Sequence, residues 1–487
     1  MKITFETNIN SAQIIQSIDK IEKQFDEKER NYLSNNILDD VLKDVQPVNF
    51  RKYVKFDNEK RQLQKKHYLV SIIEILTQKI KKLNYDIGVK NNIIYLYNGR
   101  YWEQIEEGQI KSFLGMVALK MNVNKYDAKL HTFKDELYKQ FLTETSLSHK
   151  IKTTEKSTLI NLKNGTFEIS SEKQILREFR KEDFLTYQLD FEYKENAETP
   201  LFNAFIDKVL PDKKLQNILA EYLGYIFIPN STLKFEKVLL LYGTGANGKS
   251  VLFNIINAVF GKENVSNYTL ESITNNNGYE RAMLGNKLLN YASEINGKME
   301  THFFKLLISG EPVQVRLPYG KPYILTDYAK FIFNTNELPR EVENTHAFFR
   351  RFIIIPFKVT IPEKEQDINL SQKIIKNELP GIFNWILKGL KRLLKNKQFI
   401  TSEIVEKEIN TYKKESDSVL MFLEDEKYTI STTSHTYLKE IYMHYKLYCL
   451  DNGYRQLSIR NFSKRLVNAG YVKERKSNGI VIYIKKE

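Results

Sequence analysis

The chain has 487 residues, enough for about two to four domains with cores of their own, and carries 74 Lys and Arg against 60 Asp and Glu, a formal charge of +14 that favours polyanionic partners. A single cysteine, Cys449, excludes a disulfide framework and a thiolate zinc site, and the seven histidines include no H-E-x-x-H pair. No apolar run reaches the roughly 18 residues of a membrane span, and "MKITFETNIN" has no signal-peptide core, so a soluble, cytoplasmic protein without a membrane partner is expected.

Residues 1–90 are charged and mixed in sign, with helical apolar spacing in "IIQSIDKIEKQF" and "LVSIIEILTQKI", and read as a helical N-terminal region. At 91–199 the pattern becomes α+β. "NIIYLYNGRYWEQI" predicts two strands about an Asn-Gly turn, "TLINLKNGTFEIS" repeats that logic at Asn164-Gly165, and helices are expected between them. Residues 171–200 read as an extended connection. Pro200 then introduces "LFNAFIDKVLPDKKLQNILAEYLGYIF", two amphipathic helices separated at Pro211.

In "LLLYGTGANGKSVLF" a buried strand gives way to a glycine loop and then to apolar residues at helical spacing, the context that makes G-x-x-x-x-G-K-[ST] a phosphate cradle. Gly243, Gly245 and Gly248 free the backbone to close on phosphate oxygens; Thr244, Ala246, Asn247 and Val251 complete the predicted ATP-binding stretch. Lys249 reaches the β and γ phosphates and the Ser250 hydroxyl faces Mg²⁺. "NKLLNYASEIN" reads as a second strand ending in Glu294, a candidate for holding Mg²⁺ or the attacking water. A helix, a hairpin around Tyr319-Gly320 and a strand ending at Asn336 follow. "AFFRRFIIIPF" places Arg350 and Arg351 before a fourth strand, where a cation can offset charge on a transferred phosphoryl group. Alternating strands and helices, with chemistry at the strands' carboxyl ends, predict a doubly wound α/β domain over 200–365.

Residues 366–430 read as helices and a charged linker. The last segment, 431–487, predicts two helices and a hairpin turning at Asn478-Gly479, the pattern of a winged helix. From 434 to 487 there are eleven Lys or Arg and four acids, +7 of the chain's +14. Arg460, Lys464 and Arg465 fall on the expected groove-reading helix, and Lys473, Arg475 and Lys476 on the wing, as candidate DNA contacts.

"NLKNGTFEI", "LGYIF", "GTGANGKS", "YASEIN", "KLLISGEPVQVR", "FNTNELP" and "RRFIIIPF" occur here in an order that resembles the superfamily 3 helicases of the phage and plasmid primase-helicase family, from about residue 92 onward. The resemblance implies a multidomain α/β protein with a central AAA+ ATPase, using ATP and Mg²⁺. It implies a homo-oligomeric ring, a hexamer, that moves 3′ to 5′ on single-stranded DNA and unwinds duplex. Glu294 is then the Walker B acid, Asn336 the sensor and Arg350 or Arg351 the finger on a neighbour's ATP. Lys321, with Tyr319 beside it and Arg316 at the hairpin's base, becomes the pore contact to DNA. Ser293 stands where many P-loop ATPases have an Asp. Residues 1–90 are too few for the family's primase domain, so a stand-alone helicase is expected, similar to the self-loading replication initiators of staphylococcal pathogenicity islands and working with host replication proteins. Two other readings stay open: an origin-binding protein whose ATP site is an assembly switch, and a nucleic-acid packaging motor.

Overall fold

Apolar strands with no polar alternation need cover on both faces, and the run Val238–Tyr242 finds it at the centre of the molecule. In the computed structural model, which describes residues 37–56, 62–90, 93–145, 157–292, 299–318, 320, 322–339, 343 and 345–487, this strand lies in a five-stranded sheet. The spatial order is Phe352–Pro356, Val238–Tyr242, Lys330–Thr335, Leu289–Ala292 and Val265–Ser266, all parallel. The strand that ends at Asn336 thus runs between the glycine-loop strand and the strand that leads towards Glu294.

One face of the sheet is covered by the helix Lys249–Phe260, the pair Pro200–Val209 and Lys213–Tyr225, and the long helix Leu370–Asn396. Pro200 opens its helix at a position where no amide is needed, and Asp212 caps the next by accepting from the amides of Lys214 and Leu215. Leu370–Asn396 belongs to the same core: Ile374, Phe383, Ile386, Leu390 and Leu393 are buried with the apolar residues of the parallel sheet, and Glu378 accepts from the amides of Leu201 and Phe202. Gly224 lets it approach, since a Cβ there would lie 2.7 Å from that of Leu390. The other face is covered by Leu270, Ile273, the helix Thr301–Ile308, Phe348 and Phe349 of the short helix His346–Phe349, and Tyr412.

Both predicted hairpins form, and each gains a strand that the sequence reading passed over. Ile93–Tyr97 pairs with Trp102–Ile105 across a turn in which Asn98 Oδ1 accepts from the amides of Arg100 and Tyr101, and Asp86–Lys90 joins the other edge. Thr158–Leu162 pairs with Gly165–Ile169, the turn being Lys163-Asn164 with Gly165 at φ +147°; Gln174–Arg177 adds the third strand. The expected division near residue 90 falls inside one core that runs from Ile37 to Phe141, and Ile160, Leu162, Phe167 and Ile169 pack into the core of the parallel-sheet region across residue 199. The amphipathic stretch 14–25 lies outside the described residues.

The C-terminal module begins earlier than 431. Val419, Phe422 and Leu423 of the helix Ser418–Asp425 share a core with Ile441, Tyr445, Phe462, Leu466 and Ile482. Three helices, Ser418–Asp425, Leu438–Asp451 and Ile459–Asn468, therefore precede the hairpin Lys473–Lys476/Gly479–Ile482, whose two-residue turn is Ser477-Asn478.

Candidate nucleotide site and basic surface

The loop after Val238–Tyr242 shows why glycine is needed at two points for different reasons. Gly248, the N-cap of Lys249–Phe260, has φ +85°, and a Cβ on it would meet Val209 at 2.7 Å; Gly245, at φ +119°, has open space around it and serves backbone freedom alone. Ala246 is also left-handed, at φ 48°. Gly248 brings no side chain to the first-turn amides of the helix, which remain donors at its positive end. Asn247 is buried and its Nδ2 donates to the Phe357 carbonyl at 3.2 Å, while the Ile361 amide donates to the Ala246 carbonyl at 2.8 Å. The loop is thereby tied to the end of the edge strand.

Lys249 folds back into this cradle at 7 % exposure, and burial holds its ammonium below the usual lysine range. It donates to the Gly243 carbonyl, to Asn247 Oδ1 at 3.3 Å and to Asn336 Oδ1 at 3.4 Å. Asn336 comes from the neighbouring strand's carboxyl end, 87 residues along the chain. The Gly243 amide donates to the Thr335 carbonyl at 3.1 Å, and buried Tyr291 donates to Asn334 Oδ1 at 2.9 Å, so that strand end is held from both sides. Thr244 and Ser250 are exposed on the same rim and Val251 is half-buried. The donor set fits a triphosphate with Mg²⁺: backbone amides and a buried cation for the phosphates, and one hydroxyl for a metal that keeps most of its coordination from water and phosphate oxygens. Among the described residues no group of three His, Cys, Asp or Glu could hold a metal without them. Glu294, Tyr319 and Lys321 lie outside the described residues.

The two arginines separate sharply. Arg351 is 7 % exposed; its guanidinium donates to the Ala347 carbonyl and to Ser309 Oγ at 2.8 Å, inside the sheet's helical cover. Arg350 is exposed and pairs through Nη2 with Glu236 Oε2 at 2.7 Å. Strand register puts Phe352 opposite Val238 and Pro356 opposite Tyr242. Arg350 therefore precedes the strand's start, whereas the glycine loop follows the other end, about 13 Å of strand away.

Arg316 is exposed at the base of the hairpin Val313–Val315/Tyr323–Leu325, where its Nη2 donates to the Tyr279 hydroxyl at 3.1 Å and its guanidinium lies 5.1 Å from that ring's centre. Tyr279, which sequence reading missed, opens the short helix Tyr279–Ala282; the same helix carries buried Arg281, whose guanidinium donates to the Ile273 carbonyl at 2.9 Å and stacks on Phe303. In the C-terminal module Arg460, Lys464 and Lys473 line one groove with Asn461, Ser463 and Val467, and Arg475 is exposed on the adjoining strand. Lys476 is half-buried, its ammonium 5.6 Å from the ring centre of Tyr483. Arg465 departs from the expected set: it turns inward to pair with Asp417, the buried N-cap of Ser418–Asp425. Its helical position is one step round from Lys464, which suffices to exchange a solvent face for an inter-helix one.

Three stretches match known families. Residues 73–211 match "D5 N terminal like", residues 414–486 match "Poxvirus D5 protein-like", and residues 241–351 match a family of unknown function, DUF5906. A putative helicase of Acanthamoeba polyphaga mimivirus is 22 % identical over 364 residues, covering 65 % of this chain and 37 % of that protein. The chain thus spans a little over a third of that relative's length. The C-terminal region of NrS-1 is similar in two solved apo forms, at 14 % and 15 % identity, with TM-scores of 0.48 and 0.49, covering 86 % of this chain and 100 % and 99 % of theirs. No helix of the described residues is long and apolar enough to cross a membrane.

Proposed function

We propose that this chain is the ATPase motor of a viral or phage-type replication helicase, hydrolysing ATP to move single-stranded DNA and separate duplex. One observation carries the reading: Lys249 and Asn336 converge on a glycine cradle, while Arg350 stands exposed at the opposite end of the same parallel sheet. A phosphoryl-transfer site needs a cation near the departing group, and this one cannot come from its own chain's Arg350. The arrangement supports a closed ring in which each Arg350 serves the next subunit. Arg351, buried and bonded within its own subunit, is left a structural role.

Lys249 and the loop amides would hold the β and γ phosphates, and Asn336 would orient the attacking water with Glu294, which accepts its proton. Mg²⁺, held by Ser250, Glu294, water and phosphate oxygens, would supply charge neutralisation to the triphosphate. The AAA+ assignment is supported by the strand order, with the Asn336 strand between those of the glycine loop and of Glu294. The winged-helix assignment is supported by three helices followed by a basic hairpin. Hexameric state, 3′ to 5′ movement, origin recognition, a staphylococcal-island-like mobile element and host replication partners in a bacterial cytoplasm rest on the motif resemblance alone.

A forked-duplex assay with each single-stranded tail in turn tests the reading. ATP-dependent strand separation on the 3′-tailed fork, lost in Lys249→Ala, is expected. Hydrolysis without separation on either fork would favour an origin-binding protein with an ATP assembly switch, and translocation along intact duplex would favour a packaging motor.

A further inference from the structure

The segment just before the glycine-loop strand contains a backbone outlier. Glu236 sits in the left-handed region at φ 53°, where a residue with a long side chain and no local hydrogen-bonding advantage is uncommon and persists only when its surroundings over-determine it. Three consecutive residues here grip the two arginines that precede the adjacent strand. Glu236 Oε2 accepts from Arg350 Nη2 at 2.7 Å and lies 3.7 Å from Arg351 Nη2. The Lys237 ammonium donates to the Arg350 carbonyl, and the Val238 amide donates to the Arg351 carbonyl at 2.8 Å. The side chain of Arg350 is nevertheless 52 % exposed, so its backbone is fixed and its guanidinium is held at one end only.

We infer that Glu236 is a positioning residue: it orients Arg350 of its own chain for delivery into the nucleotide site of the next subunit. The inference rests on the proposed role of Arg350 in trans. An unrestrained arginine samples many rotamers, and only a small share of them point along the line to a neighbour's phosphate. Binding a single Nη2 removes most of that freedom while leaving Nη1 and Nε as donors. Partial exposure of the carboxylate keeps it hydrated, which limits how far it neutralises the charge it orients. Glu236 and Lys237 lead directly into the strand that Val238 opens and that runs to the glycine loop, so the arginine is referenced to its own subunit's nucleotide strand.

The test uses mixed rings of full-length chains. Lys249→Ala subunits lack a working phosphate loop but keep Arg350, and Arg350→Ala subunits are the reverse, so their mixture regains hydrolysis at interfaces that combine the intact halves. Adding Glu236→Ala to the Lys249→Ala subunit, the arginine donor, should reduce that regained rate about 10- to 100-fold with the KM for ATP unchanged. Adding it to the Arg350→Ala subunit, the acceptor, should leave the rate within about 2-fold. Glu236→Gln in the donor, which keeps an acceptor oxygen, should restore most of the loss. An equal effect in donor and acceptor would mean that Glu236 merely supports its own fold or loop, and would overturn the inference. Faster hydrolysis with the donor variant would also overturn it, by making the contact a restraint. No regained activity in the parent mixture would instead remove Arg350 from the neighbour's site and sink the underlying reading.

Discussion

Lys249 and Lys464 are the same side chain in opposite settings. The first is buried in the glycine loop among three oxygen acceptors, two from the loop itself and one from just past the neighbouring strand, and desolvation holds its pKa low. The second lies exposed in a groove with Arg460 and Lys473, and among the described residues none of the three has an ion-pair partner. A buried cation with fixed partners acts on one group at one distance, and its loss is all or nothing. Exposed cations act through their number, each contributing a small increment that salt screens. The arginine pair repeats the difference in burial within two residues: Arg351 is enclosed among fixed acceptors, whereas the side chain of Arg350 is half exposed.

The largest effects are expected where that contrast meets the chemistry. Lys249→Ala should abolish ATP hydrolysis and strand separation in a steady-state phosphate-release assay while duplex binding through the C-terminal groove survives. A turnover rate close to the unaltered protein's would show that the buried cation is structural only.

Arg350→Ala should lower hydrolysis in the assembled protein by about 10³- to 10⁵-fold, the range for an arginine supplied across an interface, with the unfolding midpoint little changed. Arg351→Ala should do the opposite first, costing about 2 to 3 kcal/mol of stability in urea titration because Ser309 and the Ala347 carbonyl lose a buried partner. Reversed outcomes for the two would erase the distinction between the buried and the exposed arginine.

In the groove the response should be graded. Replacing Arg460, Lys464 and Lys473 with alanine together should flatten the slope of log duplex affinity against log salt by about 2.7, at about 0.9 per phosphate contact. Arg465→Ala should instead destabilise the module through Asp417 and leave the slope within error. Salt titrations paired with thermal melts separate the two effects.

A last test concerns burial with no chemistry attached. Lys330, 7 % exposed, donates to Asn230 Oδ1 with its ammonium 4.5 Å from the centre of the Tyr225 ring. Burial pushes its pKa down to about 7, with Asp327 opposing and Lys234 assisting the shift. Between that value and the unfolded 10.5 the unfolded chain binds the extra proton, so stability should rise with pH, by at most about 1.4 kcal/mol per unit. Below pH 7 the cost of the buried charge is fully present. Lys330→Met should remove this slope in urea titrations from pH 6 to 9; an unchanged slope would place its origin elsewhere.

What the sequence by itself determined is the local physics. Glycines at fixed offsets between an apolar strand and a helix, Asn-Gly at the hairpins and Pro200 at a helix start are legible because backbone geometry restricts each to a few residue types. The +7 of residues 434–487 is equally a property of composition. Only the tertiary structure decided which charges are buried. Neighbouring positions such as Arg350 and Arg351, or Lys464 and Arg465, are alike in sequence, yet a step of one residue moves a side chain to another face, where packing supplies acceptors or leaves it to water. Boundaries were hidden for a related reason. Leu370–Asn396 and Ser418–Asp425 read alone as parts of one helical segment with a charged linker, and their apolar stripes become core only against helices contributed from elsewhere in the chain.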